Sequence, residues 1–200
     1  MEVTKEKETD VKITKEKDAE KKTEEKKIVQ VSATTITKKN ITKAHIETTF
    51  KHQHKTGFFI INKELALSLG FSSEIELRTA ITTFVQKHAK GKASYIDTNV
   101  WVTAFVLHYY RLVAVEHRTD WQSRYEISYR WLITQFKFTE SIETEVFSVM
   151  KSFTKERYSV DEDVLKIDAQ FEESFKEKKK LIQSNKTTTV IQSSAGMYNA

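Results

Sequence analysis

His52-Gln53-His54 sets two imidazoles two residues apart, and His45 lies upstream of them. Alternate residues of an extended chain share a face, so this pair could ligate a metal with His45 as a third donor. No carboxylate stands beside the pair, and the plainer reading is exposed histidines on a basic loop. His88 and His108 fall at apolar helical positions, which favours core or boundary histidines over catalytic ones. Asp97 and Asp120 are the only carboxylates whose setting is apolar enough to raise a pKa, and both read better as helix caps. Gly57, Gly70, Gly91 and Gly196 stand too far apart to cradle a phosphate, and no GxSxG elbow, HExxH or kinase set is present. These readings point to a non-enzyme with no metal and no cofactor.

Composition narrows the class further. The 200 residues contain no cysteine and no proline, and only four glycines. No disulfide scaffold or thiolate metal site can form, and the turn punctuation of an all-β sandwich is missing. Lys and Arg number 33 against 28 Asp and Glu, a net charge of +5 with a pI near 9.1. The signs are mixed along the chain, whereas nucleic-acid binders gather base on one face. No apolar run reaches the ~20 residues of a membrane span, and Met1–Glu6 offers no signal-peptide core. A cytoplasmic protein is the expectation.

The elements that must position these side chains follow from periodicity. Residues 1–27 hold nine lysines and nine acids and read as a charged disordered tail. Residues 28–44 are rich in Thr and Ile and favour a strand or linker. From residue 45 the pattern turns helical. A short turn carries Ile46 and Phe50, Gly57 breaks it, and Phe58–Ile61 form an extended apolar step. Asn62 caps a helix through Leu69 that Gly70 closes. Ser73 and Glu76 fit a capping box for a helix with Leu77, Ala80, Ile81, Phe84, Val85 and His88 on one face.

Asp97-Thr98-Asn99 offer caps to a helix from Val100 that is apolar nearly all round and should be central. Asp120 is read as the cap of the next helix, with Trp121, Tyr125, Ser128 and Leu132 on its stripe and Tyr129, Trp131 and Phe136 beside it. A helix from about Ser141 carries Ile142, Val146, Val149, Met150 and Phe153. Ser159 and Glu162 suggest a second capping box, opening a long amphipathic helix over 159–184. Its stripe is Val164, Ile167, Phe171, Phe175 and Ile182. Residues 185–200 read as a polar tail. The expected fold is all-α, a bundle of five to six helices over 45–158 followed by the long helix. All tryptophans and all tyrosines except Tyr158 and Tyr198 fall in 45–155, where one core can form.

Gln53–Gly70, with Gly57, Phe58, Phe59, Asn62, Glu64, Leu65, Leu69 and Gly70, resembles a segment from the C-terminal region of proteins with a VIT domain and a von Willebrand factor A domain. The helix around Trp101 and the block Asp120–Leu132, with Trp121 and Trp131, resemble the next two blocks of that region in order and spacing. Phe59 stands where Trp is common. A similar region of the vault poly(ADP-ribose) polymerase docks onto the major vault protein. The resemblance therefore implies a non-catalytic protein-interaction module, with the major vault protein or another large cytosolic assembly as partner. No adhesion-site metal and no ADP-ribosyl transfer carry over, because the matching domains are absent here.

Two alternatives follow from other features. The basic surplus would suit a nucleic-acid-binding accessory protein, against which the mixed signs of residues 1–27 argue. The apolar stripe of 159–184 would suit self-assembly into a homo-oligomer, unless it packs back on the domain.

Overall fold

The computed structural model describes residues 41–91, 96–135 and 140–195. The tail 1–27, residues 28–40 of the Thr/Ile-rich segment, Phe136 and residues 196–200 lie outside them. Among the described residues the protein is all-α, seven α-helices with one isolated antiparallel bridge between Gln53 and Phe59.

Helix α1 spans Lys43–Phe50, two residues before the expected linker boundary, because Thr42 Oγ1 accepts from His45 N at 3.3 Å and caps it. Helix α2, Lys63–Ser68, is capped by Asn62, whose Oδ1 accepts from Leu65 N at 2.8 Å. Gly70 ends it with φ +73°, in the left-handed region that costs glycine little. Helix α3, Glu74–His88, is capped by Ser73, which accepts from Glu76 N at 3.1 Å. Glu76 reaches back to Ser72 N and Oγ, both at 2.6 Å, so the box closes one residue earlier than expected.

Helix α4, Thr98–Leu112, is the axis of the fold. Asp97 caps it through Asn99 N, and every residue from Val100 to Leu112 is buried. Helix α5, Arg118–Gln135, follows a 3-10 turn at Val115–His117. Asp120 therefore lies inside its first turn and caps nothing; it pairs with His117 at 3.3 Å. Helix α6, Glu140–Tyr158, packs with α5 against α4, and α3 lies on α4 and α6.

The expected box at Ser159 is also corrected. Ser159 has φ +48° and terminates α6, where Val160 N bonds to Lys155 O at 3.3 Å. The cap of α7, Glu162–Ala195, is Asp161, whose carboxylate accepts from Val164 N at 3.0 Å. This helix continues through 185–195, expected as tail, on a stretch that holds neither glycine nor proline.

Helix α7 packs on α4 and α5 through a ladder of rings. Phe171 stands edge-on to Trp121 and Tyr125, and Phe175 edge-on to Tyr125 and Tyr129, with centroids 5.1–5.6 Å apart. Each such pair is worth about 0.5–1.5 kcal/mol beyond its buried area. The stripe is Val164, Asp168, Phe171 and Phe175, while Ile167 is 44 % exposed. Tyr158, placed outside the core by its position, packs edge-on to Tyr109 at 5.4 Å and donates to Leu69 O at 2.6 Å.

Candidate functional site

The residues singled out by sequence divide between core and surface. Trp101 and Trp121 are buried, and Trp121 Nε1 donates to Ala114 O at 2.8 Å. Phe59, Leu65 and Leu69 are fully buried, with Phe59 N donating to Thr103 Oγ1 at 3.1 Å. Glu64 is exposed in the first turn of α2, where its charge suits the helix dipole. Gly57, Phe58 and Trp131 come together in one place, the hairpin seated on α5.

Four observations define that seat. Gly57 has φ +118°, and a Cβ there would lie 2.6 Å from Ile127 O and 2.9 Å from Trp131 Cβ. Only glycine allows so close an approach of turn to helix. Ser128 Oγ donates to Gly57 O at 2.5 Å. Gln53 Nε2 donates to Ser128 Oγ at 2.7 Å and Arg124 O at 2.9 Å. The hairpin is thus locked to α5 by backbone contact and three hydrogen bonds, of which Ser128 to Gly57 is buried. At its tip His54 stacks on Phe58 at 4.6 Å, and Phe58 leans on Trp131 at 5.2 Å. These rings are half-buried, and Ile127 beside them is 39 % exposed.

The histidines do not converge. His45 Nε2 pairs with Tyr109 OH at 3.0 Å, His52 Nδ1 with Asn62 at 2.9 Å and His54 Nδ1 with Thr56 at 2.8 Å. Each is engaged with a separate neighbour, and no cluster of metal-ligating groups occurs among the described residues. His88 is exposed and stacks on Phe84 at 4.2 Å, whereas His108 is buried.

A second cluster escaped the sequence reading altogether. Arg111 of α4 and Asp168 of α7 are buried, and Arg111 Nε donates to Asp168 Oδ1 at 2.6 Å. Arg111 also bonds Glu172, and Lys151 of α6 meets Asp168 at 2.7 Å and Glu172 at 3.3 Å. Two cations face two carboxylates: the inner pair Arg111–Asp168 is buried and balanced, and Lys151 and Glu172 close it from the part-exposed rim. No carboxylate but Asp97 or Asp120 was expected in an apolar setting; Asp168 and Glu143 are in fact the buried ones. Tyr129 donates to Glu143 at 3.0 Å, and Lys179 closes on the same oxygen at 2.6 Å.

Burial pushes the Glu172 carboxyl up, but hydrogen bonding and charge from Arg111, then Lys151, outweigh it and hold the pKa below its usual value. Burial, then the Arg111 and Lys151 charges, hold His108 well below the usual imidazole value and therefore neutral. Its ring nitrogens close no hydrogen bond, although the Phe147 backbone stands near, and the Phe147 ring meets it edge-on at 5.5 Å. The signal for this cluster was present in the pattern: His108 and Arg111 interrupt an apolar run, and Asp168 falls on the Val164–Phe171 face.

At the corner lined by Ile41, Val113 and His117, a cavity has room for a single water. No helix among the described residues is long and apolar enough to cross a membrane. No protein-family model, curated protein or solved structure matches this chain.

Proposed function

We propose that this chain is a non-enzymatic protein-interaction module that grips its partner with the hairpin face of α5. The observation that carries this reading is the braced but half-exposed ring cluster His54–Phe58–Trp131 with Ile127. Hydrogen bonds from Gln53 and Ser128 brace it, and preorganised aromatic anchors are the usual energetic centre of an interface. The Arg111–Asp168 quartet pins α7 to α4 and α6 and serves architecture.

The resemblance to the C-terminal region of VIT and von Willebrand A proteins makes the major vault protein, a large cytoplasmic assembly, the first partner to try. The test is binding of the full chain to purified major vault protein, with Ile127→Asp as control, alongside affinity capture and cross-linking from cytosol. Capture that Ile127→Asp abolishes supports the reading. Absence of any specific protein contact, or contacts indifferent to Ile127→Asp, contradicts it.

The nucleic-acid alternative loses support from the basic run of α7, where Lys176 pairs with Glu173, Lys178 with Glu126, Lys179 with Glu143 and Lys180 with Glu177. Self-assembly loses most of its stripe, since Val164, Phe171 and Phe175 are spent inside the chain.

A further inference from the structure

The charges around the ring cluster differ from those elsewhere. Lys55 adjoins His54 on the hairpin, and Arg124 and Arg130 flank Ile127 and Trp131 on the outward stripe of α5. All three are exposed, and none has a carboxylate partner among the described residues. Arg124 only touches Gln53 Oε1 at 3.5 Å and leans over Phe50 at 5.9 Å. Glu126, on the same helix, is neutralised by Lys178. An apolar strip is thus bordered by three unspent cations on a rigid base.

We infer that this face docks an acidic amphipathic helix of a partner protein, whose apolar stripe covers Phe58, Ile127 and Trp131 while its carboxylates meet Lys55, Arg124 and Arg130. This rests on the interaction-module reading and adds the chemistry of the partner. Charge complementarity selects the acid. Shape selects the helix: Arg124, Ile127, Arg130, Trp131 and Thr134 run along one side of α5 at spacings of three and four, a ridge against which another helix packs. A partner strand finds no sheet to extend, because the hairpin holds one isolated bridge. A nucleic-acid base finds no free ring face on Phe58, which has His54 stacked on it and Trp131 tilted against it.

The experiment uses the full chain and three fluorescent 18-residue helical peptides. They share one leucine stripe and differ only at the outer positions, all Glu, all Gln or all Lys. Anisotropy titration is expected to rank Glu over Gln by about tenfold, the sum of three screened surface pairs, with Lys weakest. Raising salt narrows the gap. Arg130→Glu together with Lys55→Glu, both exposed and remote from the core, reverses the preference toward the Lys peptide. Ile127→Asp weakens all three.

Equal affinity for the Glu and Gln peptides overturns the acidic partner. If that shared affinity still falls with Ile127→Asp, the module reading survives. Absence of peptide binding by a chain that still captures its protein partner overturns this inference alone. Tighter binding of an oligo-dT strand, lost on Ile127→Asp, overturns it in favour of nucleic acid.

Discussion

The two flanks of α5 are built from similar residues and put to opposite uses. On the side that meets α7, Trp121, Tyr125 and Tyr129 are covered by Phe171 and Phe175, and nearby charges find partners within the chain. On the side that meets the hairpin, Trp131 and Phe58 are covered only in part, and Lys55, Arg124 and Arg130 have no carboxylate partner among the described residues. The first flank converts rings and charges into stability. The second leaves them part-exposed, braced by Gly57 and Ser128, and is the flank we propose as the gripping face. The presence of an aromatic cluster therefore does not mark a binding face; what distinguishes one is whether the chain has already satisfied it.

Breaking the first flank should have the largest effect. Asp168→Ala removes the buried partner of Arg111, leaves it only the part-exposed Glu172, and should cost about 3 kcal/mol in urea denaturation. Replacing both, Arg111→Met with Asp168→Leu, should recover most of that loss; failure to recover would mean the quartet does more than balance its own charges. Breaking the second flank at its base comes next. Gly57→Ala forces a side chain into φ +118° against Ile127 O and should cost about 2–3 kcal/mol, with the hairpin detaching before the rest unfolds in amide exchange. Asn62→Ala removes the α2 cap and a contact to His52, and a loss of about 1 kcal/mol is expected by the same denaturation.

Smallest at neutral pH is His108→Leu, whose effect shows in acid. The folded pKa of His108 lies below that of an unfolded imidazole, so the unfolded chain takes up the proton first. Stability should begin to fall as pH drops below about 6.5, and this first phase should shrink in His108→Leu to the part contributed by His45, which burial also holds below its ordinary value. Glu172, whose folded pKa is also depressed, adds a second loss below its ordinary carboxylate range that the variant keeps. Melting temperatures from pH 8 to about pH 2 separate the two; an unchanged profile in the variant would remove His108 from the account.

What sequence showed and what it hid follow from the range of the interactions. The caps at Asn62, Ser73 and Asp97, the stop at Gly70 and the buried axis Val100–Leu112 are set within a few residues, so spacing reveals them. Ser159 misled because Ser is a good cap by type, while its φ of +48° and the nearby Asp161 assigned the roles otherwise. The Arg111–Asp168 pair joins residues 57 positions apart, and no local pattern reports such a partner. Ile167 was preferred for the stripe because it is apolar; Asp168 took the inward position because Arg111 and Lys151 wait there for its charge. The site was legible only in part: Gly57 marked a turn, but the exposure of Trp131 relative to Trp121 depends on what α7 reaches.

The most direct test is hydrogen–deuterium exchange of the full chain with and without the Glu peptide. Protection confined to residues 53–60 and 123–134, with α7 unchanged, is the predicted footprint. Protection centred on 162–182, or none on the hairpin, would contradict the assignment of gripping to one flank and holding to the other.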